Sequence, residues 1–136
     1  MIVVDTNVIV TFFVRADATD LAKKAMQKDA DWIAPPLWLS ETRNVLATMM
    51  RTRALSYETA IAVLAEAEDL MTGHTHAIPS LDVMGIARDS GLSAYDCEFV
   101  ALAASTGTAL VTLDKRLALR FPHIATPLDR FVVTDR

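Results

Sequence analysis

The chain has 136 residues, 52% of them hydrophobic and 22% charged, with a net charge of −4 at pH 7. This length and balance suit one domain over residues 1–136 with a real core, and they exclude a disordered chain. The acidic balance excludes a whole-surface basic footprint, so contact with nucleic acid must rest on local patches or bound cations.

Ile2, Val3 and Val4 form a β-branched run that reads as a buried strand, ended by Asp5. Residues 8–14 can form a short helix, but β-branching makes its propensity poor and leaves continuation of the strand open. Asp17 is placed to cap an amphipathic helix over residues 21–28, with Leu21, Ala22, Ala25 and Met26 inside. Residues 32–34 form a short strand, stopped by Pro35 and Pro36, which prepare a helix over residues 37–50. Leu37, Glu41, Val45 and Thr48 share one face of that helix, and Glu41 is its odd member. Ser56 caps the next helix, with Ile61, Leu64, Ala67 and Met71 inside and Gly73 past its end, so the two helices form a hairpin.

Residues 74–78 read as a weak strand, and residues 80–90 as a helix ended by Gly91. Ser93 and Asp96 resemble a capping box that opens a helix over residues 94–105. Residues 109–112 are the second strong buried strand, followed by Asp114 and a short helix carrying Leu117 and Ala118. Residues 131–133 are the last predicted strand. The alternation predicts an α/β fold, a three-layer α/β/α sandwich with a mainly parallel central sheet. No apolar run reaches the roughly 18 residues of a membrane span, and no secretory segment opens the chain. Cys97, the one cysteine, cannot form an intrachain disulfide, which suits a reducing cytoplasmic compartment.

Four acids stand out, each in an otherwise apolar segment or at the start of a helix. Asp5 and Asp114 follow the two strong strands, where open α/β sheets place their ligands. Glu41 and Asp96 lie on helices that can open near the same edge. Four converging carboxylates repel one another. Two unit charges about 4 Å apart interact by roughly 4 kcal/mol at an effective dielectric near 20. Either some stay protonated or a cation neutralises them. Hard oxygen donors favour Mg²⁺ or Mn²⁺ over zinc, and such an ion suits phosphodiester hydrolysis. Each acid also has a structural reading. Asp5 and Asp114 can cap helices, Asp96 can serve its capping box, and Glu41 can pair with Arg43 or Arg51.

The segments Val-Val-Asp5-Thr-Asn-Val, Leu-Ser-Glu41-Thr-Arg-Asn-Val-Leu, Ala-Tyr-Asp96-Cys-Glu-Phe-Val-Ala-Leu-Ala and Leu-Val-Thr112-Leu-Asp114-Lys-Arg-Leu resemble the ordered acidic motifs of PIN-domain ribonucleases. The resemblance runs from Ile2 to about Val133, and the short stand-alone form is similar to VapC toxins. It implies a PIN-like fold and a metal-dependent endoribonuclease using Mg²⁺ or Mn²⁺ that leaves a 5′-phosphate and a 3′-hydroxyl. It also implies a homodimer and a VapB-like antitoxin. Asp5, Glu41, Asp96 and Asp114 match the family's catalytic, metal-binding acids, and Thr6, Asn7 and Thr112 the polar positions around them. In this assignment Asp5, Asp96 and Asp114 hold the ion directly or through water, and Glu41 positions the ion or the attacking water. Thr112 orients a carboxylate or a water.

Lys115 and Arg116 follow Asp114 directly and are the favoured contacts to the RNA backbone, ahead of Arg43, Arg51 and Arg53. Glu98 lies about 200° around the helix from Asp96, which favours a solvated or neighbour-paired acid. His74 and His76 suit a strand edge better than a metal site, Cys97 suits packing, and Trp32 and Trp38 suit a core or dimer interface. A phosphotransfer protein is a rival enzyme class, but its second acid would stand where this chain has Asn7. A non-catalytic PIN-shaped interaction module is the non-enzymatic rival, and the intact set of four acids argues against it.

Overall fold

The computed structural model describes residues 1–134; Asp135 and Arg136, the last two of the expected domain, lie outside the described residues. Ile2, Val3 and Val4 form β1 (Ile2–Val4), and all three side chains are buried. A strand buried on both faces belongs inside a covered parallel sheet. β1 pairs in parallel with β2 (Trp32–Ile33) and with β3 (Leu110–Thr112). β4 (Ala125–Pro127) pairs in parallel with β3, giving the order β2-β1-β3-β4. The expected mainly parallel sheet is thus wholly parallel. Val4 stands opposite Val111, so Asp5 leaves the sheet level with Thr112.

Helices flank this sheet. α1 (Thr6–Phe13), α2 (Thr19–Lys28) and α3 (Leu37–Arg51) precede α4 (Tyr57–Met71), α5 (Ser80–Ser90) and α6 (Ala94–Thr106). α7 (Lys115–Arg120) and α8 (Leu128–Val133) flank β4 in the chain. α6 packs on β1 and β3 and pairs with α5, while α2 packs on α1 and α8. The main core joins Trp32, Phe99, Ile9, Leu102, Leu110 and Leu128. Phe12 of α1 meets Trp32 edge-on, with ring centroids 5.3 Å apart. α3 and α4 form the expected hairpin around a smaller cluster of Leu46, Ala60 and Val63. No helix among the described residues is long and apolar enough to cross a membrane.

Several expectations are corrected. Residues 131–133 lie in α8 rather than a strand, because Leu128 and Phe131, three apart, are buried together on one helical face. The fourth strand is instead Ala125–Pro127, and a proline ends it at the sheet edge, where no ladder donor is needed. Residues 74–78 make only an isolated bridge, Thr75 to Ala34. Asp17 caps nothing. Thr19 Oγ1 instead accepts the Ala16 N–H at 2.8 Å and donates to the Thr11 carbonyl. α4 buries Ala60 and Val63 where Ile61 and Leu64 were expected, and Ile61 is 47% exposed. α3 turns Trp38, Thr42 and Leu46 to the interior. Leu37, Glu41 and Val45 line a cleft beside them.

Candidate functional site

The C-terminal edge of β1 and β3 assembles the site. Asp5 caps α1, its Oδ1 accepting the Thr6 N–H at 2.8 Å. Its Oδ2 accepts Thr112 Oγ1 at 2.6 Å and Asn7 Nδ2 at 3.3 Å. Asn7 Oδ1 in turn accepts the Leu113 N–H at 3.2 Å, so one amide ties the turn after β1 to the turn after β3. Thr112 is fully buried, and its Oγ1 also accepts the Asp114 N–H at 2.9 Å. Asp114 caps α7 by accepting the Leu117 N–H at 3.1 Å through Oδ1. The capping readings of Asp5 and Asp114 are therefore both realised. A carboxylate has about four lone-pair sites, so neither cap exhausts its donor capacity.

Thr6 brings in the third segment. Its hydroxyl, in a 5% exposed residue, donates to Glu41 Oε1 at 2.7 Å across from α3. The fourth acid, Asp96, sits in the first turn of α6, where Ser93 Oγ accepts its backbone N–H at 3.2 Å. Half of the expected capping box is thus formed. Burial pushes the Asp5 carboxyl up, the bonds from Thr112 and Thr6 oppose this, and the charges of Asp96 and Asp114 add to it. Burial likewise raises Glu41, against the Thr6 bond, with further upward pressure from Asp5, Asp96 and Glu98. Four chain segments therefore feed one negative field.

The expected arginine partners of Glu41 lie elsewhere. Arg43 stands 3.9 Å from Glu68, and Arg51 bonds Thr48. Among the described residues no Lys, Arg or His pairs with Asp5, Glu41 or Asp96. Arg116 Nη2 lies 3.8 Å from Asp114 Oδ2, and Lys115 is exposed and lines a separate cleft with Ala118, Leu119 and Pro122. His74 pairs with Asp31 at 3.4 Å, away from the acids. Cys97 is buried, and Trp32 and Trp38 are core residues.

The donor set fits a hard divalent cation. It is all carboxylate oxygen, its half-buried members Asp5 and Glu41 are pushed toward protonation, and it has almost no internal counter-charge. Among the described residues no three His, Cys, Asp or Glu side chains form a tight ready-made cage. Mg²⁺ does not need one, because it keeps several waters and uses one or two carboxylates directly.

Two residues carry more than expected. Glu98 adds to the field at Glu41 rather than simply facing solvent. Tyr95, 63% exposed, shares a cleft with Glu41. Its place directly before Asp96 in the helix's first turn was the available signal.

The PIN domain family matches residues 2–122. Ribonuclease VapC3 of Pyrobaculum aerophilum is 30% identical over 129 residues, covering 93% of this chain and 98% of that protein. The crystal structure of PAE2754 from Pyrobaculum aerophilum superposes with a TM-score of 0.74 at 22% identity, covering 96% of this chain and 92% of that one. That likeness is of fold.

Proposed function

This chain belongs to the PIN-domain family, and from that premise we propose that it is a VapC-like endoribonuclease, the toxin of a toxin–antitoxin pair. The observation that carries this reading is the bonded frame at one sheet edge: Thr112 Oγ1 joins Asp5 to the turn of Asp114, and Thr6, next to Asp5, holds Glu41, with no basic residue paired to Asp5 or Glu41 among the described residues. Such a set of acids suits a cation-assisted reaction of a phosphodiester.

Asp5, Asp96 and Asp114 would hold Mg²⁺ or Mn²⁺, directly or through water, and Glu41 would complete the set. When bound, the ion supplies charge neutralisation at the phosphodiester and acidifies water. The chain's own residues do the positioning. Thr112 and Asn7 fix Asp5 Oδ2, and Thr6 fixes Glu41. Glu41, once ionised, is placed to accept a proton from an attacking water. Lys115 and Arg116, on the first turn of α7, would meet the RNA backbone. Hydrolysis then leaves a 5′-phosphate and a 3′-hydroxyl.

The partner set follows the same reading: RNA as substrate, a VapB-like antitoxin, a second copy of the chain and a cytoplasmic setting. Tyr57 and Ile61 are exposed on α4 and Leu81 and Met84 on α5, apolar surface of the kind that self-association covers. The test is cleavage of RNA in Mg²⁺ or Mn²⁺. EDTA, Asp5→Asn and Asp96→Asn should each abolish it, and cleavage at the wild-type rate by Asp5→Asn protein would sink the assigned mechanism.

A further inference from the structure

Between α3 and the first turn of α6 lies a cleft of about 520 Å³, lined by Leu37, Ser40, Glu41, Asn44, Val45 and Tyr95. This volume lies within the usual range for a small-ligand site. Leu37 and Val45 provide apolar surface. Ser40 and Asn44, four residues apart, stand on one flank of α3. Among the described residues no hydrogen bond or ring contact engages the side chains of Ser40, Asn44 or Tyr95. The Tyr95 ring is 63% exposed and sits on the well-capped start of α6, next to Asp96.

We propose that this cleft is a nucleobase subsite, taking one unpaired RNA base that adjoins the cleaved phosphodiester. The proposal rests on the endoribonuclease reading above and deepens it. Tyr95 supplies the stacking face, and Asn44 and Ser40 read the base edge. An asparagine amide presents a donor and an acceptor side by side, the pattern that a base edge answers. Unstacked RNA bases are held in this way, on aromatic rings with hydrogen bonds to their edges.

Charge and position select this occupant. Glu41 is the only charged residue of the lining, and it belongs to the acid set as well. Without a cation in the cleft a phosphate would be repelled by that carboxylate, whereas a neutral base would not be. A phosphodiester at the acids would therefore leave its adjoining base beside the cleft that Glu41 and Tyr95 line. An amphipathic peptide helix would need anchor pockets along two turns, and the apolar part of this cleft is only Leu37, Val45 and the Tyr95 ring.

The test is fluorescence anisotropy with short single-stranded oligoribonucleotides, all-A, all-U, all-C or all-G, with Ca²⁺ in place of Mg²⁺, so that binding is read without turnover and Asp5 keeps its carboxylate. Tyr95→Ala should weaken binding of all four by about tenfold or more, the usual effect of losing a stacking ring. Tyr95→Phe should keep it. Asn44→Ala should flatten the preference among the four bases. Unchanged affinity in Tyr95→Ala overturns the subsite, as does a wild-type protein that binds none of the four. A Tyr95→Ala protein that keeps its RNA affinity but escapes inhibition by an antitoxin encoded beside it assigns the cleft to protein, against the proposal. Cleavage by the wild-type chain is scored separately. If it cleaves and Tyr95→Ala binds normally, the subsite alone fails; if it never cleaves, the ribonuclease reading fails.

Discussion

Thr112 Oγ1 donates a 2.6 Å hydrogen bond to Asp5 Oδ2, joining residues 107 positions apart across the β1–β3 pair. The same oxygen accepts the Asp114 N–H, so one buried hydroxyl orients two of the four acids. Thr112→Val removes a donor and an acceptor without emptying the space. It should cost about 1–3 kcal/mol, the usual penalty for buried polar groups left unpaired. Cleavage should fall about 10- to 100-fold, as for a lost outer-shell partner of a metal site. Thr112→Ser should recover most of both. Urea unfolding and RNA cleavage on the same preparations check this; a Thr112→Val protein with wild-type cleavage would remove Thr112 from the site.

Thr6 plays the matching part for Glu41. Its hydroxyl bond holds the Glu41 carboxyl down against burial and against Asp5, Asp96 and Glu98. Without that bond, Glu41 should hold its proton to higher pH. Thr6→Val should therefore move the acid limb of the pH–rate profile upward, so that the loss of rate is larger near pH 6 than near pH 8. Thr6→Ser should leave the limb in place. A uniform loss across the profile would mean that Thr6 is only a packing residue.

Stability of the metal-free protein should carry the same signature. Asp5 and Glu41 bind protons more tightly when folded than when unfolded, because their carboxyls are pushed up by burial first and by neighbouring acids second. Their contribution is complete below the ordinary carboxylate range and is lost as pH rises through the folded values. In EDTA, Asp5→Asn should therefore melt higher than wild type at pH 7 and converge with it in acid. A gain of about 1 kcal/mol would show as roughly 3 °C. Adding Mg²⁺ should raise the wild-type melting temperature and leave Asp5→Asn nearly unmoved. The opposite ranking in EDTA at pH 7 would show that Asp5 is stabilising as a charged group.

The sheet centre was legible in the sequence because Ile2–Val4 and residues 109–112 are short apolar runs that admit few other readings. The acids were legible because each interrupts or follows an apolar pattern. What escaped was tertiary. The sequence 131–133 reads as strand by β-branching, yet α8 forms because Leu128 and Phe131 bury together, and tertiary burial overrides weak local propensity. The inner face of α3 was shifted by one position, since Trp38-Thr42-Leu46 and Leu37-Glu41-Val45 are neighbouring stripes of similar polarity. That shift matters for function, because it turns Glu41 from an interior acid into the wall of a cleft. Thr6, Asn7 and Thr112 were named around the acids by resemblance, but which atoms they bond depends on strand register, and periodicity alone carries no register.

Two serine caps separate scaffold from site. Ser56 Oγ accepts the Thr59 N–H at 3.1 Å on α4, and Ser93 Oγ accepts the Asp96 N–H at 3.2 Å on α6. Each cap replaced by alanine should cost about 1 kcal/mol by the same mechanism, a freed donor in the first helical turn. Their effects on cleavage should diverge. Ser56→Ala should cleave RNA as wild type does, since nothing in its turn reaches the acids. Ser93→Ala frays the turn that carries Asp96, so cleavage should drop several-fold at temperatures where the protein remains folded. The pair checks itself, because matched losses in urea midpoint make stability an inadequate explanation for any difference in rate. Equal cleavage by both variants would show that α6 packing on β1 and β3, rather than the cap, holds Asp96 in place.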